Sequence, residues 1–145
     1  MVHRVPDWRS KLITFAEAKW AEWDSGEWYY RTSDGGRAAI GATNILTGAL
    51  PHKLRERREA IIAAVELGED SDWVTGGEGE NLALENGMCV MTHNYNEDQK
   101  AIVHPDELIK LIDWRLAIME SPDFKNPDAR FDPIEIEYQE LDRDD

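Results

Sequence analysis

LALENGMCVMT, at residues 82–92, is the stretch that decides the fold class of this chain. At its centre, Asn86-Gly87 separates two short apolar runs. This dipeptide favours the two-residue turn between antiparallel strands, because both of its residues accept a positive φ. The stretch therefore predicts a β-hairpin within an antiparallel sheet.

Further strands are predicted on both sides of the hairpin. Residues 73–75 and 101–103 read as short strands, and residues 94–99 as a polar turn before the second of them. The aromatic stretch EWYYRT at 27–32 favours an extended backbone. Residues 134–138 alternate apolar and charged side chains, which predicts a half-buried strand. Its charged face is typical of a guarded sheet edge.

Three or four helices are predicted around this sheet. Apolar residues between 8 and 23 recur at steps of three and four, which indicates an amphipathic helix. A second helix is expected over 51–67, and a third begins at Pro105, because proline is favoured at the first helical position. Residues 37–47 are ambiguous: their apolar positions suit a helix face, but glycine, threonine and asparagine oppose one.

The hairpin and the flanking helices together indicate an α+β fold. Its expected form is a small antiparallel sheet, a meander with the Asn-Gly hairpin, flanked by three or four helices. The chain has 145 residues, of which 41% are hydrophobic. This length suits one domain with a real core, so we predict a single globular domain over 1–145, with 142–145 frayed.

The cellular location is predicted from cysteine usage and apolar runs. Cys89 is the one cysteine, which excludes an intramolecular disulfide and favours a reducing compartment. The first residues lack the apolar stretch of a signal peptide, and no apolar run approaches the length of a membrane span. We therefore expect a cytoplasmic protein without membrane attachment.

The net charge of −14 is distributed unevenly along the chain. Residues 66–98 contain nine acidic residues and no Lys or Arg, whereas residues 1–65 carry a small positive excess. Such a field repels nucleic acids and anionic membranes, and it attracts a basic partner. We therefore expect a basic protein partner and no direct nucleic-acid binding. Solubility alone is the alternative explanation of the acidity.

The sequence lacks the motifs of common catalytic and metal sites, including a phosphate-binding glycine loop, HExxH, paired CxxC and GxSxG. We predict no catalytic residue, no metal and no cofactor. His93 is the best candidate for a catalytic base, because acidic residues follow it in a predicted turn. His104 is expected to help start a helix, and Cys89 to be a buried structural thiol.

Basic residues cluster in one short stretch that precedes the acidic segment. The cluster lacks interleaved aromatic residues, which weakens a nucleic-acid interpretation. Pairing with acidic residues of the same molecule is the favoured role. Its members are His52, Lys53, Arg55, Arg57 and Arg58.

The predicted partner-binding residues belong to two groups. The first is the aromatic strand, in which consecutive residues point to both faces of a sheet, so that at least one lies on the surface. The second consists of carboxylates in the acid-rich stretches 66–98 and 132–145, which can imitate phosphate spacing. The residues are Trp28, Tyr29, Tyr30, Asp70, Asp72, Glu78, Glu80, Glu135 and Glu137.

Size, acidity and the lack of a catalytic signature resemble the profile of toxin-immunity proteins and of phage anti-defence proteins. Because this resemblance concerns general properties and no motif, it assigns no role to any residue of this chain. Our first hypothesis is an acidic protein that binds and inhibits a basic macromolecular partner, as an immunity-type or anti-defence-type inhibitor able to mimic a nucleic acid. The second is a small-ligand-binding module or enzyme with a site near His93. The third is an assembly subunit, such as a homodimer joined through residues 134–138.

Overall fold

The computed structural model describes residues 7–18, 27–32, 46, 50–76, 80–93, 96–124, 126 and 128–142. Over this part of the chain the fold is α+β, with one antiparallel sheet and two helices. The elements in chain order are β1 (Asp7–Ala18), β2 (Glu27–Thr32), α1 (Pro51–Leu67), β3 (Ser71–Gly76), β4 (Glu80–Glu85), β5 (Met88–His93), β6 (Asn96–Val103), α2 (Pro105–Met119) and β7 (Ile134–Asp142).

The seven described strands lie in the order β2-β1-β7-β6-β5-β4-β3, and every neighbouring pair is antiparallel. Strands β3 to β6 follow one another as a meander. Strand β7 returns after α2 and joins the meander to the N-terminal pair of strands. Its ladder with β1 runs from Asp7 opposite Asp142 to Phe15 opposite Ile134, and so ties both ends of the described chain into one sheet.

The predicted helix over residues 8–23 is wrong, because Asp7–Ala18 form strand β1. Ile13 and Phe15 are fully buried, whereas Leu12, which directly precedes Ile13, is 44% exposed. This alternation follows the two-residue period of a strand. Hydrogen-bonded neighbours on both sides, β2 and β7, stabilise the extended form over the helical spacing. Residues 19–23 of the predicted helix lie outside the described part.

Residues 134–138, predicted to form a sheet edge, pair with β1 on one side, whereas the described ladder between β7 and β6 involves only Gln139 and Glu140. Strand β7 lies between β1 and β6, and β2 and β3 are the outermost strands of the described sheet. Beyond its ladder with β6, β7 is contacted by a side chain of α2: the backbone N–H of Glu137 donates to Oε2 of Glu107 at 3.0 Å. The hypothesis of a homodimer joined through residues 134–138 stays a prediction.

The connection between β4 and β5 is as tight as a two-residue loop allows. Glu85 lies opposite Met88, and Asn86 and Gly87 between them have φ values of 51° and 78°. Both central residues of a type I′ turn need positive φ, which glycine and asparagine adopt most readily. The next connection differs from the sequence interpretation, because β6 begins at Asn96 within the predicted polar turn 94–99.

The two described helices have clear ends. Helix α1 begins with Pro51 at its first position and ends at Gly68, whose φ of 73° suits a left-handed cap. Helix α2 is capped by the ring of His104, whose Nδ1 accepts the backbone N–H of Asp106 at 3.1 Å. Two helices, not three or four, are therefore present in the described chain. Of the ambiguous segment 37–47, only the buried Leu46 is described.

The core lies between the helices and one face of the sheet. Phe15 of β1 packs against Trp114 of α2 with ring centroids 6.4 Å apart, which fixes the helix near the β1–β7 ladder. The cluster contains Ile13, Phe15, Leu46, Leu54, Ile61, Leu82, Leu84, Cys89, Met91, Ala101, Val103, Leu108, Leu111, Ile112, Leu116, Ile136 and Tyr138.

Candidate acidic interface

The predicted partner-binding residues are spread across the sheet. Glu135 and Glu137 are exposed on β7, whereas Asp70 and Asp72 are exposed beside and within β3. Three strands separate β7 from β3, which corresponds to roughly 19 Å at a strand spacing of about 4.8 Å. The predicted carboxylates therefore lie on two parts of the sheet that three strands separate.

The remaining predicted residues lie elsewhere. Trp28, Tyr29 and Tyr30 belong to the outermost strand β2, where Tyr30 pairs with Phe15 of β1. Glu80 begins β4, next to β3, and Glu78 lies outside the described residues. The aromatic strand is thus at the opposite edge of the sheet from β3.

Asp70 has a structural contact that the sequence did not reveal. Its Oδ1 accepts the backbone N–H of Asn86 at 2.9 Å, which ties the segment before β3 to the β4–β5 turn. The carboxylate of Asp72 has no hydrogen bond or ion pair among the described residues. These two aspartates therefore differ in role: Asp70 stabilises the turn, and Asp72 faces solvent.

Apolar side chains are exposed close to these aspartates. Trp73 in β3 is 63% exposed and Leu67 at the end of α1 is 69% exposed, although both are large hydrophobic residues. Helix α1 contacts β3, and only three residues separate the two elements in the chain. We call this area the α1–β3 surface and define it by Glu66, Leu67, Glu69, Asp72 and Trp73.

Sequence reasoning did not include Trp73 among the candidate site residues, because it was assigned only to a short strand. The signal that could have found it is local. Trp73 stands in a segment, residues 59–99, that contains no Lys or Arg, and it directly follows Asp72. An exposed tryptophan beside acidic residues is typical of a binding surface more than of a core.

The basic cluster on α1 is engaged within the molecule. Arg58 Nε donates to Oδ1 of Asp113 at 2.7 Å, and Arg55 pairs with Glu120, so both arginines join α1 to α2. Lys53 pairs with Glu56 one turn away on α1, with 3.3 Å between Nζ and Oε2. The predicted intramolecular role of the cluster is therefore confirmed for these three residues.

Acidic residues of the α1–β3 surface differ from the basic cluster in this respect. Glu66, Glu69 and Asp72 are exposed, and none has an ion-pair partner among the described residues. The same holds for Glu135 and Glu137 on β7. The described surface therefore presents uncompensated carboxylates, while three of its bases are occupied.

The residues that the sequence analysis considered for a catalytic role lie in different environments. Cys89 is fully buried, and burial raises its pKa to about 12, so the thiolate needed for a nucleophile is suppressed. His104 serves as a helix cap. His93 ends β5, where its backbone pairs with Glu80 of β4 and Asn96 of β6.

Within the described residues, no group of three or more His, Cys, Asp and Glu side chains is arranged to hold a metal ion. No helix of that part of the chain combines the length and hydropathy needed to cross a bilayer. In comparisons with known proteins, no family model, no curated protein and no solved structure matches the chain.

Proposed function

We propose that this chain is an acidic protein-binding domain that occupies, and thereby inhibits, the basic site of a macromolecular partner. The observation that carries the proposal is the contrast between its acids and its bases. Arg55 and Arg58 form ion pairs that join α1 to α2, whereas Glu66, Glu69 and Asp72 are exposed and unpaired in the described chain.

Electrostatic reasoning explains how such a surface would act. A net charge of −14 raises the rate of encounter with a positively charged protein. Carboxylates that are already solvated and unpaired lose no internal ion pair when they meet Arg or Lys of the partner. A partner whose basic site normally holds phosphates would be blocked, because carboxylates offer a similar array of acceptors.

Capture from native lysate tests this function. The purified chain is immobilised, and retained proteins are quantified by mass spectrometry at about 50 mM and about 300 mM salt. The Debye length, over which charges interact, falls across this range. We expect one basic protein in near-stoichiometric amount at low salt, with less at the higher salt. Retention of no protein, or of a partner with an acidic isoelectric point, would contradict the proposed function.

Inhibition is tested separately, once the partner is purified. We expect the partner's own activity to fall in proportion to occupancy by this chain. Binding without any change in that activity would leave a binding domain and remove the inhibitory part of the proposal.

A further inference from the structure

Large apolar side chains are exposed where α1 ends and β3 begins. Trp73 is 63% exposed, Leu67 is 69% exposed and Val65 is 42% exposed. Two of the three lie in the last turn of α1, and the third lies in the strand that α1 contacts. Covering exposed tryptophan and leucine side chains with another surface lowers the free energy, because apolar area is removed from water.

The charge around these apolar residues selects the chemistry of what covers them. Glu66, Glu69 and Asp72 surround Leu67 and Trp73 in sequence, and none is paired within the described residues. The segment 59–99 supplies no Lys or Arg that would neutralise them. Exposed apolar side chains that neighbour unpaired carboxylates in the chain are complementary to a protein segment that carries both aliphatic and cationic groups.

The backbone of β3 is poorly suited to adding another strand. Its register with β4 shifts between Ser71 and Thr75, and such irregularities limit edge-to-edge pairing. The carbonyl oxygens of Asp72 and Trp73 already accept hydrogen bonds from Asn81 Nδ2 and Ser71 Oγ. Recognition at this surface therefore depends on side chains.

We infer that the α1–β3 surface is the docking site for an arginine-bearing segment of the basic partner, with Trp73 as its apolar anchor. Arginine suits this surface because its planar guanidinium stacks on an indole ring while its N–H groups donate to carboxylates. Glu66, Glu69 and Asp72 provide those carboxylates. This inference rests on the proposed function and specifies where the partner binds.

The test uses the full chain and a defined probe, a short peptide of alternating glycine and arginine. In a ¹H–¹⁵N spectrum, the indole N–H of Trp73 is assigned by its loss in Trp73→Phe. We expect that signal and the backbone amides of residues 66–73 to shift saturably with the peptide. The indole of Trp114, which donates to the carbonyl oxygen of Asp132 at 2.8 Å, should not move.

Affinity for the same peptide is then compared among variants. Trp73→Ala should raise Kd by about threefold to thirtyfold, the range of one cation–π contact, and Trp73→Phe by less. Leu50→Ala is the matched control, because Leu50 is also exposed, at 59%, but lies at the opposite end of α1. The chemical shifts of the core methyl groups report whether each variant is folded.

Charge is tested with a second matched pair. Glu66→Gln combined with Glu69→Gln should weaken binding and reduce its salt dependence, whereas Glu135→Gln combined with Glu137→Gln removes the same charge from β7. If only the β7 pair matters, or if Trp73→Ala has no effect on Kd, the assigned docking site is wrong. Capture of a basic partner from lysate would then still support the proposed function.

A second copy of the chain is the other occupant that the experiment must distinguish. Light scattering of the free protein should give a monomer for the wild type and for Trp73→Ala. A dimer that Trp73→Ala dissociates would overturn the inference, since the patch would then be covered by the protein itself.

Discussion

Arg58 of α1 donates its Nε–H to Oδ1 of Asp113 in α2 across 2.7 Å, and this pair fixes one helix beside the other. Both side chains are partly exposed, at 37% and 49%, so solvent screens the interaction. Its structural consequence is that a cation which could face a nucleic acid or an acidic ligand is instead held by the protein itself.

Replacing Asp113 with asparagine should therefore cost less than about 1 kcal/mol of unfolding free energy, as is usual for exposed pairs. Urea unfolding at low and high salt measures the cost, which should shrink as salt rises. Glu59→Gln is the control, because Glu59 is exposed on α1 without a described partner. A loss above about 2 kcal/mol would mean that the pair is not screened as its exposure indicates.

The strand assignment of residues 7–18 can be tested with two adjacent apolar residues. Ile13 is fully buried and Leu12 is 44% exposed. Ile13→Ala should lower the unfolding free energy by about 2–5 kcal/mol, and Leu12→Ala by much less, because only the first leaves a cavity in the core. Chemical denaturation measures both. A larger loss for Leu12→Ala would favour the helical spacing, in which Leu12 faces inward.

Asp70 and Asp72 should respond differently to the same substitution. Asp70→Ala removes the acceptor of the Asn86 N–H and should cost about 1 kcal/mol, the usual net value of such a hydrogen bond. Asp72→Ala should leave stability almost unchanged. Thermal and urea unfolding of the two variants give the comparison, and equal losses would show that the turn contact does not stabilise the fold.

Burial of Cys89 gives the protein a specific dependence on alkaline pH. Its pKa is raised to about 12 in the folded state, above the value of about 8.5 for an exposed thiol. The folded state therefore holds this proton more tightly, and the stability it contributes is present below about pH 8.5 and is lost as pH rises toward 12.

Between about pH 9 and 11 the unfolding free energy of the wild type should fall more steeply than that of Cys89→Ala, by up to about 1.4 kcal/mol per pH unit. Comparing the slopes removes the contribution of lysine and tyrosine, which both proteins share. Parallel slopes would mean that the thiol ionises as easily in the folded state as in the unfolded chain.

Local signals made part of the fold predictable. Pro51 and Gly68 mark the two ends of α1 in the sequence, and the ring of His104 caps α2 where a helix start was expected. Strand β2 matches the aromatic stretch at 27–32. At the helix ends the deciding interaction lies within a few residues of the chain, so the sequence carries the information directly.

Non-local pairing accounts for what was missed. The apolar residues of β1 recur at a helical spacing and, among those whose burial is described, only Ile13 and Phe15 show the alternation of a buried strand face. Pairing with β2 and with β7, whose residues lie 119 to 135 positions away in the chain, stabilises the extended form. That β7 pairs along its length with β1 but, in the described chain, with β6 only at Gln139 and Glu140 also depends on distant strands. An edge and an interior strand with one charged face have the same alternation of residues.

The candidate site was also predictable from the sequence only in part. Acid-rich segments were visible in the sequence, but only the sheet order shows that Glu135 lies several strands from Asp72. The contact from Asp70 to Asn86 crosses 16 positions, and nothing in either local sequence indicates it. The 63% exposure of Trp73 is a property of the folded chain, so composition alone does not establish it.

The most direct test of an electrostatically recruited partner is the association rate of that purified partner as a function of ionic strength. Stopped-flow mixing should give a rate that falls at least about tenfold between about 20 and 300 mM salt. Glu66→Gln, Glu69→Gln and Asp72→Asn combined should slow association at low salt and match the wild type at high salt. A rate that is independent of salt would contradict recruitment by the acidic field.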